Sequence, residues 1–283
     1  MRRLLVLFID FLRNVFSKYK PKKQFPLLRK IHDFLLDIIK PHYVYKNGHL
    51  IYLDKLDCLG LARGQEYDVG ETEVLRQEVK KGDSVVDCGA NIGYHALELA
   101  RLVGEKGKVF AFEPHPETFL VLKKNIIANN YLNTTIFQKA TADRKGEAHL
   151  MLSDEAGSPL GASSFRLGEE AKYKIKVPVI ALDEIVSRLD FAKLDVEGYE
   201  FKTLRGMKNI LANNPQIKML VEFYPALLIT AGDNPREFID FLTTRGFSLY
   251  DVRRNTETNL DTLLVQYTIE NGEMTNILCK RDS

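Results

Sequence analysis

Five apolar runs in this chain each end in an acid. Asp87 closes "SVVDCG", Glu113 closes "KVFAFEP", and Asp143 follows "TTIFQKATAD". Asp195, with Glu197 two residues on, closes "FAKLDVEG", and Glu222 closes "IKMLVEFYP". If the runs are strands of an open α/β sheet, their carboxyl ends form one rim, where such sheets bind ligands. Carboxylates gathered there can accept hydrogen bonds from hydroxyls, take a proton as general base, or coordinate a hard cation.

The residues after Asp87 narrow the choice. "DCGANIG" holds Gly89 and Gly93, enough for a tight turn and close backbone approach. It is not a phosphate-binding GxxxxGK[ST] loop. Asn91 stands where a dinucleotide loop would place its middle glycine. Glu113 follows 20 residues after Gly93, at the place from which an acid accepts hydrogen bonds from both hydroxyls of a ribose. Asp87 in the first turn would repel the pyrophosphate of NAD or FAD. It suits a ribose-bearing ligand with positive charge and no phosphate, and S-adenosylmethionine answers that description.

The acids further along suit the reaction centre. Methyl transfer is an in-line displacement in which the acceptor must be aligned and relieved of its proton. Asp195 is the first candidate for that work, with Glu197 and Glu222 next. Clustered carboxylates raise one another's pKa and so strengthen a base. They could equally hold Mg²⁺ or another hard cation, and the sequence leaves this open without defining a metal-ligand set. Simpler roles compete: Glu197 as a helix cap, Glu222 in an ion pair, Asp143 as an exposed turn residue.

Positioning these residues requires alternating strands and helices. From Ser84 the pattern runs strand, glycine turn, helix to about Val103, strand, and then a helix opening at Pro116. Phe119, Leu122, Ile126 and Ile127 are read as one face of that helix. A third strand "TTIFQKA" follows, then a Gly- and Ser-rich loop, Ser153–Glu170, whose "GASSF" (Gly161–Phe165) suits a lid. "YEFKTLRGMKNIL" reads as one helix, and Asn234 as the cap of the next. "FSLYDV" and "TNILCKR" are read as closing strands, antiparallel at an edge, with a helix-free segment between them. The alternation implies a mainly parallel sheet covered by helices on both faces.

The first 66 residues read as an extension and 67–283 as the main domain. "YVYKNGHLIYLD" is a hairpin turning at Asn47-Gly48. Before it lie two helices joined by Lys20–Pro26. Met1–Lys40 carries ten Lys/Arg against three Asp/Glu. This basic extension either packs on the domain or on a second subunit, or lies on an anionic membrane surface. The run from Leu4 to Ile9 is too short to span a bilayer.

The chain has 283 residues and a net charge of +2, which gives no basis for nucleic-acid steering. Cys58, Cys88 and Cys279 are too few and too scattered for a disulfide framework. They fit a reducing compartment, hence a cytoplasmic protein, with the inner membrane surface as the place of any peripheral contact.

"VVDCGANIGYHALELA", "VFAFEPHPETFLVLKKNI", "LDVEGYEFKTLRGM", "LVEFYP" and "TNILCK" together resemble the FkbM family of S-adenosylmethionine-dependent methyltransferases. The likeness runs from about Gly70 to the C-terminus. It implies the class I methyltransferase fold: a Rossmann-like, mostly parallel sheet of seven strands with an antiparallel edge strand. It also implies O-methylation of a hydroxyl on a sugar, glycan or related natural product, often in surface-polysaccharide assembly. By the resemblance Asp87, Gly89, Asn91 and Gly93 form the first cofactor loop. Glu113 holds the ribose, Pro114 and His115 flank the adenosine, and Asp143 meets the adenine amino group. Relatives often carry His where this chain has Tyr224. The remaining readings are methylation of nitrogen, a lipid or a small metabolite, a silent cofactor-binding module, and an NAD-dependent oxidoreductase.

Overall fold

A computed structural model describes residues 40–281 except 56, 153–165 and 168–172. The two N-terminal helices with their proposed membrane contact, and nearly all of the Ser153–Glu170 loop with its lid, lie outside the described residues.

In chain order the first half holds β1 (Tyr43–Lys46), β2 (His49–Tyr52), α1 (Val69–Glu78), β3 (Ser84–Cys88), α2 (Tyr94–Val103), β4 (Lys108–Phe112), α3 (Pro116–Ala128), β5 (Thr134–Phe137), β6 (Ala140–Thr141) and β7 (Gly146–Leu152). The second half holds β8 (Arg166–Leu167), β9 (Tyr173–Ile180), β10 (Phe191–Leu194), α4 (Glu200–Arg205), α5 (Lys208–Asn213), β11 (Lys218–Phe223), α6 (Pro225–Thr230), α7 (Pro235–Thr243), β12 (Phe247–Asp251), β13 (Thr256–Thr258), α8 (Leu260–Gln266) and β14 (Thr275–Arg281).

The central sheet has the order β13-β12-β14-β11-β10-β3-β4-β5. β5, β4, β3, β10 and β11 pair in parallel. The chain steps outward from β3 through β4 to β5, then returns to lay β10 on the other side of β3. The topological switch point therefore lies between β3 and β10, where such sheets open a ligand crevice. The interior strands are apolar on both faces because both faces are covered. Val86, Ala192 and Val221 meet Phe201, Leu204, Phe238 and Leu242 on one side. Val85, Val109 and Phe191 meet Leu75, Leu99 and Val103 on the other.

The mainly parallel, helix-covered sheet expected of the class I methyltransferase fold is present, with differences in detail. The antiparallel strand β14 is not at the edge but two places inside it, between β11 and β12, and the short β13 makes an eighth strand at the edge. The segment between the two closing strands is not helix-free: it holds β13 and α8. Asn259 caps α8, accepting a hydrogen bond from the Thr262 N–H.

Four further details depart from the sequence pattern. The third strand ends at Phe137, and Ala140–Thr141 joins a separate sheet of order β6-β9-β7-β8. The helix read across Tyr199–Leu211 is two helices, α4 and α5, broken at Gly206. A Cβ at Gly206 would lie 2.1 Å from the Ala142 carbonyl oxygen, so the break admits a crossing backbone. On α3, Leu122 and Ile126 are buried but Ile127 is 68% exposed, one step around the helix from its assigned face.

The hairpin turns at Asn47 (φ 52°) and Gly48 (φ 82°), as its sequence requires. Asn125 and Asn129, four apart on α3, fasten it. Their side-chain oxygens accept the Tyr52 and Leu50 N–H groups, at 2.6 and 3.0 Å. Their amides donate back to the carbonyls of the same two residues, at 3.0 and 2.8 Å. A helix thus satisfies the free edge of β2 without a further strand.

The switch point depends on Gly89. Its φ is +83°, and a Cβ there would stand 1.8 Å from the Asp195 carbonyl oxygen. Gly89→Ala is expected to lower unfolding stability by about 2–4 kcal/mol, through left-handed strain and forced separation of the β3 turn from β10. Urea denaturation of the purified variant measures this; a loss below about 0.5 kcal/mol would contradict the close contact.

Candidate active site

A cleft of about 760 Å³, part of it open to solvent, lies over the carboxyl ends of β3, β4 and β10. Gly89, Ala90 and Asn91 line it from the β3 turn, Phe112, Glu113 and Pro114 from β4, and Lys193, Asp195, Val196 and Glu197 from β10. Leu59, Tyr67, Tyr94 and His95 close one side; Ala140, Thr141 and Leu150 close another.

The glycine turn hangs from β4. The Gly89 and Ala90 N–H groups both donate to the Phe112 carbonyl, at 3.0 and 2.9 Å. Asn91 then adopts φ +50°, and its N–H donates to Glu113 Oε2 at 3.0 Å. Glu113 Oε1 accepts the His115 N–H at 2.8 Å. Each carboxylate oxygen therefore takes one backbone donor and keeps a second lone pair at the cleft wall. Burial is the main force raising the Glu113 pKa to about 7, with Asp87 and Asp195 pushing the same way against the two backbone donors.

Asp87 is fully buried at the end of β3, just behind this wall. Neither of its carboxylate oxygens has a hydrogen-bond partner among the described residues. Burial raises its pKa to about 6; Asp195 adds to the rise and Lys193 opposes it.

Lys193 stands directly across from Asp87 in the β10–β3 register. Its ammonium, 2% exposed, lies 2.7 Å from Asp195 Oδ2 and 3.5 Å from Glu71 Oε2. Burial disfavours the charge, but Asp195, Glu71 and Asp87 together hold the ammonium well above its ordinary pKa. Glu71 comes from α1, and its other oxygen accepts from the Asn276 side-chain amide at 2.7 Å. Burial raises Glu71 to about 8 even with Lys193 beside it.

The turn after β10 is held by an acid of its own. Glu197 (φ 56°) and Gly198 (φ 96°) are left-handed. Glu200, fully buried, accepts the Val196 and Gly198 N–H groups at 2.8 and 3.2 Å. Glu200 thus holds the turn that leads into α4.

Six of the residues singled out from sequence meet at the cleft wall: Gly89, Asn91, Glu113, Pro114, Asp195 and Glu197. The others are not on it. Gly93 starts α2, and a Cβ there would stand 2.7 Å from a Leu122 methyl, so it serves helix packing. His115 caps α3: its Nδ1 accepts the Thr118 N–H. Asp143 is exposed, because β5 ends at Phe137 and the chain has already left the central sheet. Glu222 is buried outside the wall, and burial together with Asp195, Glu200, Glu197 and Glu71 pushes its pKa well up.

Sequence reasoning missed Lys193, Glu71, Tyr67 and His95. Lys193 carried a usable signal: a lysine inside a buried strand is rare without a partner, and Asp195 two residues on shares its face.

The family model of the methyltransferase FkbM domain matches residues 87–249, more than half of the chain. Hexuronic acid methyltransferase AglP of Haloferax volcanii is 34% identical over 152 residues, 50% of this chain and 58% of that protein. A protein-L-isoaspartate O-methyltransferase of Methanococcus maripaludis is 36% identical over 132 residues, 45% of this chain and 59% of that protein. The chain thus spans less than two thirds of the length of either relative. A solved structure of a SAM-dependent methyltransferase from Aquifex aeolicus aligns with 75% of this chain and 88% of its own, at 14% identity and a TM-score of 0.40.

The raised carboxylates have a consequence for stability. Burial raises the Asp87 and Glu113 carboxyls from their ordinary 3.8 and 4.5 to about 6 and 7 in the fold. Between about pH 4 and 7 the native state therefore binds more protons than the unfolded state, and stability falls as pH rises. Melting temperature measured without ligand should decrease across this window. Glu113→Gln should remove part of the slope, on the order of 2 kcal/mol. A slope that the variant leaves unchanged would show Glu113 to be ordinary.

Proposed function

The chain belongs to the FkbM methyltransferase family, and on that premise we propose that it methylates a hydroxyl of a sugar or glycan, with S-adenosylmethionine as donor. The observation that carries the reading is the Glu113 carboxylate. It is buried at the cleft wall, fixed by two backbone donors, with one lone pair on each oxygen directed to neither. That suits a vicinal pair of ribose hydroxyls. The fully buried, unpartnered oxygens of Asp87 and the acid-rich end of β10 suit a ligand with net positive charge. Phe112, Pro114, Ala140 and Leu150 offer apolar surface for a base. Likeness to a hexuronic acid methyltransferase supports a sugar acceptor.

When bound, S-adenosylmethionine supplies an electrophilic methyl group on a sulfonium. In this reading Gly89 and Asn91 bring the backbone of the β3 turn to the donor, Glu113 holds the ribose, and Asp87 favours positive charge from behind. Asp195 would accept a hydrogen bond from the acceptor hydroxyl and take its proton as the methyl group passes from sulfur, which keeps the electron pair of the broken bond, to oxygen. Lys193 fixes the rotamer of Asp195 through their 2.7 Å ion pair. Glu197 lines the acceptor side.

Glu113→Ala should weaken S-adenosylhomocysteine binding at least tenfold, about 1.4 kcal/mol, in calorimetry. Unchanged affinity would remove the ribose role. Asp195→Asn should lower transfer of labelled methyl to a uronic acid and neutral glycan panel by roughly 10²–10⁴-fold, while cofactor affinity stays within a few fold. Full turnover in that variant would clear Asp195 of proton removal. Failure of the parent protein to bind S-adenosylhomocysteine while binding NADH would overturn the methyltransferase reading.

A further inference from the structure

Beside the cleft, where α1 and α2 begin, lies a side-chain group that the proposed transfer does not use. We propose that Asp68, Glu71 and His95 form a divalent-cation site in this wall of the cleft. One ligand atom from each of the three lies within 4.8 Å of the others. Metal–oxygen and metal–nitrogen bonds of about 2.0–2.2 Å span such a triangle after small side-chain rotations.

The local structure brings these three residues to one place. Asp68 precedes α1 in a left-handed conformation (φ 41°), yet its side chain makes no capping hydrogen bond. Glu71 is one turn into α1, on the face packed toward the site. His95, in the first turn of α2, is 5% exposed, and its Nε2 is buried with no hydrogen-bond partner among the described residues. A buried imidazole nitrogen without a partner is costly unless something fills the position.

The acids have the outer support that ligands need. Asn276 orients Glu71 through its other oxygen, and the Tyr67 side chain hydrogen-bonds Asp68. Such partners set ligand direction. An imidazole with two carboxylates suits Mn²⁺, Fe²⁺ or Zn²⁺ better than Ca²⁺.

The test uses the full chain, stripped with chelator and dialysed. Mn²⁺ titration followed by electron paramagnetic resonance, and Zn²⁺ titration by calorimetry, should each show one saturable ion per chain. Glu71→Gln, His95→Gln and the less buried Asp68→Asn should each weaken binding at least about tenfold. Thermal melts identify any variant that fails to fold, and Asp68→Asn then decides. No saturable binding of either ion overturns the proposal, as does affinity unchanged in the folded variants. S-adenosylhomocysteine titrated into the same samples reports on the donor site separately, so metal binding and the methyltransferase reading stand or fall independently.

Discussion

One buried ammonium makes the centre of this molecule workable. Lys193 lies in the innermost layer of the sheet, across from Asp87 and within reach of Asp195 and Glu71. Buried carboxylates so close together would repel one another and lose their hydration. The lysine offsets part of that cost, and it can do so only if β3, β10 and α1 come together in one register. The ion group therefore links the switch point of the sheet to the helix that precedes it. A neutral substitute at 193 would leave three acids facing each other, so this position ties the fold to the site.

A second device recurs at the strand ends, where the backbone leaves the ladder and its N–H groups lose their partners. Here carboxylates accept them. Glu113 takes the Asn91 and His115 N–H groups, and Glu200 those of Val196 and Gly198. Both acids are buried, and burial raises the pKa of each to about 7. Acids on the rim thus divide into those that hold loops and those that face the cleft, and Glu113 does both.

What the sequence revealed follows from how local each signal is. The glycine turn, Glu113, Asp195, the Asn47-Gly48 hairpin and the Asn234 cap depend on a few neighbouring residues: the first three line the cleft, the hairpin turns where read, and Asn234 caps its helix. Asp143 went astray because β5 stops at Phe137 and hands the chain to another sheet, which only strand pairing decides. The break at Gly206 answers a backbone from residue 142, more than 60 positions away. Glu71 and His95 were invisible for the same reason: helices α1 and α2 bring them beside Lys193, and nothing in their own segments marks it. Lys193 could have been noticed as a charge inside an apolar strand, but its partners could not all have been named.

The same geometry explains how this sheet departs from the dinucleotide-binding use of its fold class. In that use, a glycine turn at the switch point presents helix N–H groups to a pyrophosphate. Here the turn is pinned from behind: Gly89 lies against the Asp195 carbonyl, and the Asn91 N–H is already given to Glu113. The donor that could have met a phosphate is occupied, and Asp87, Glu113 and Asp195 surround it with negative potential. Lys193, the cation nearest the turn, is committed to Asp195 and Glu71. A pyrophosphate would meet repulsion with few free donors to offset it, whereas a ligand bearing ribose hydroxyls and positive charge meets acceptors on every side. The choice between the two ligand classes is thus made by where the loop N–H groups are spent, and it is made before any acceptor reaches the cleft.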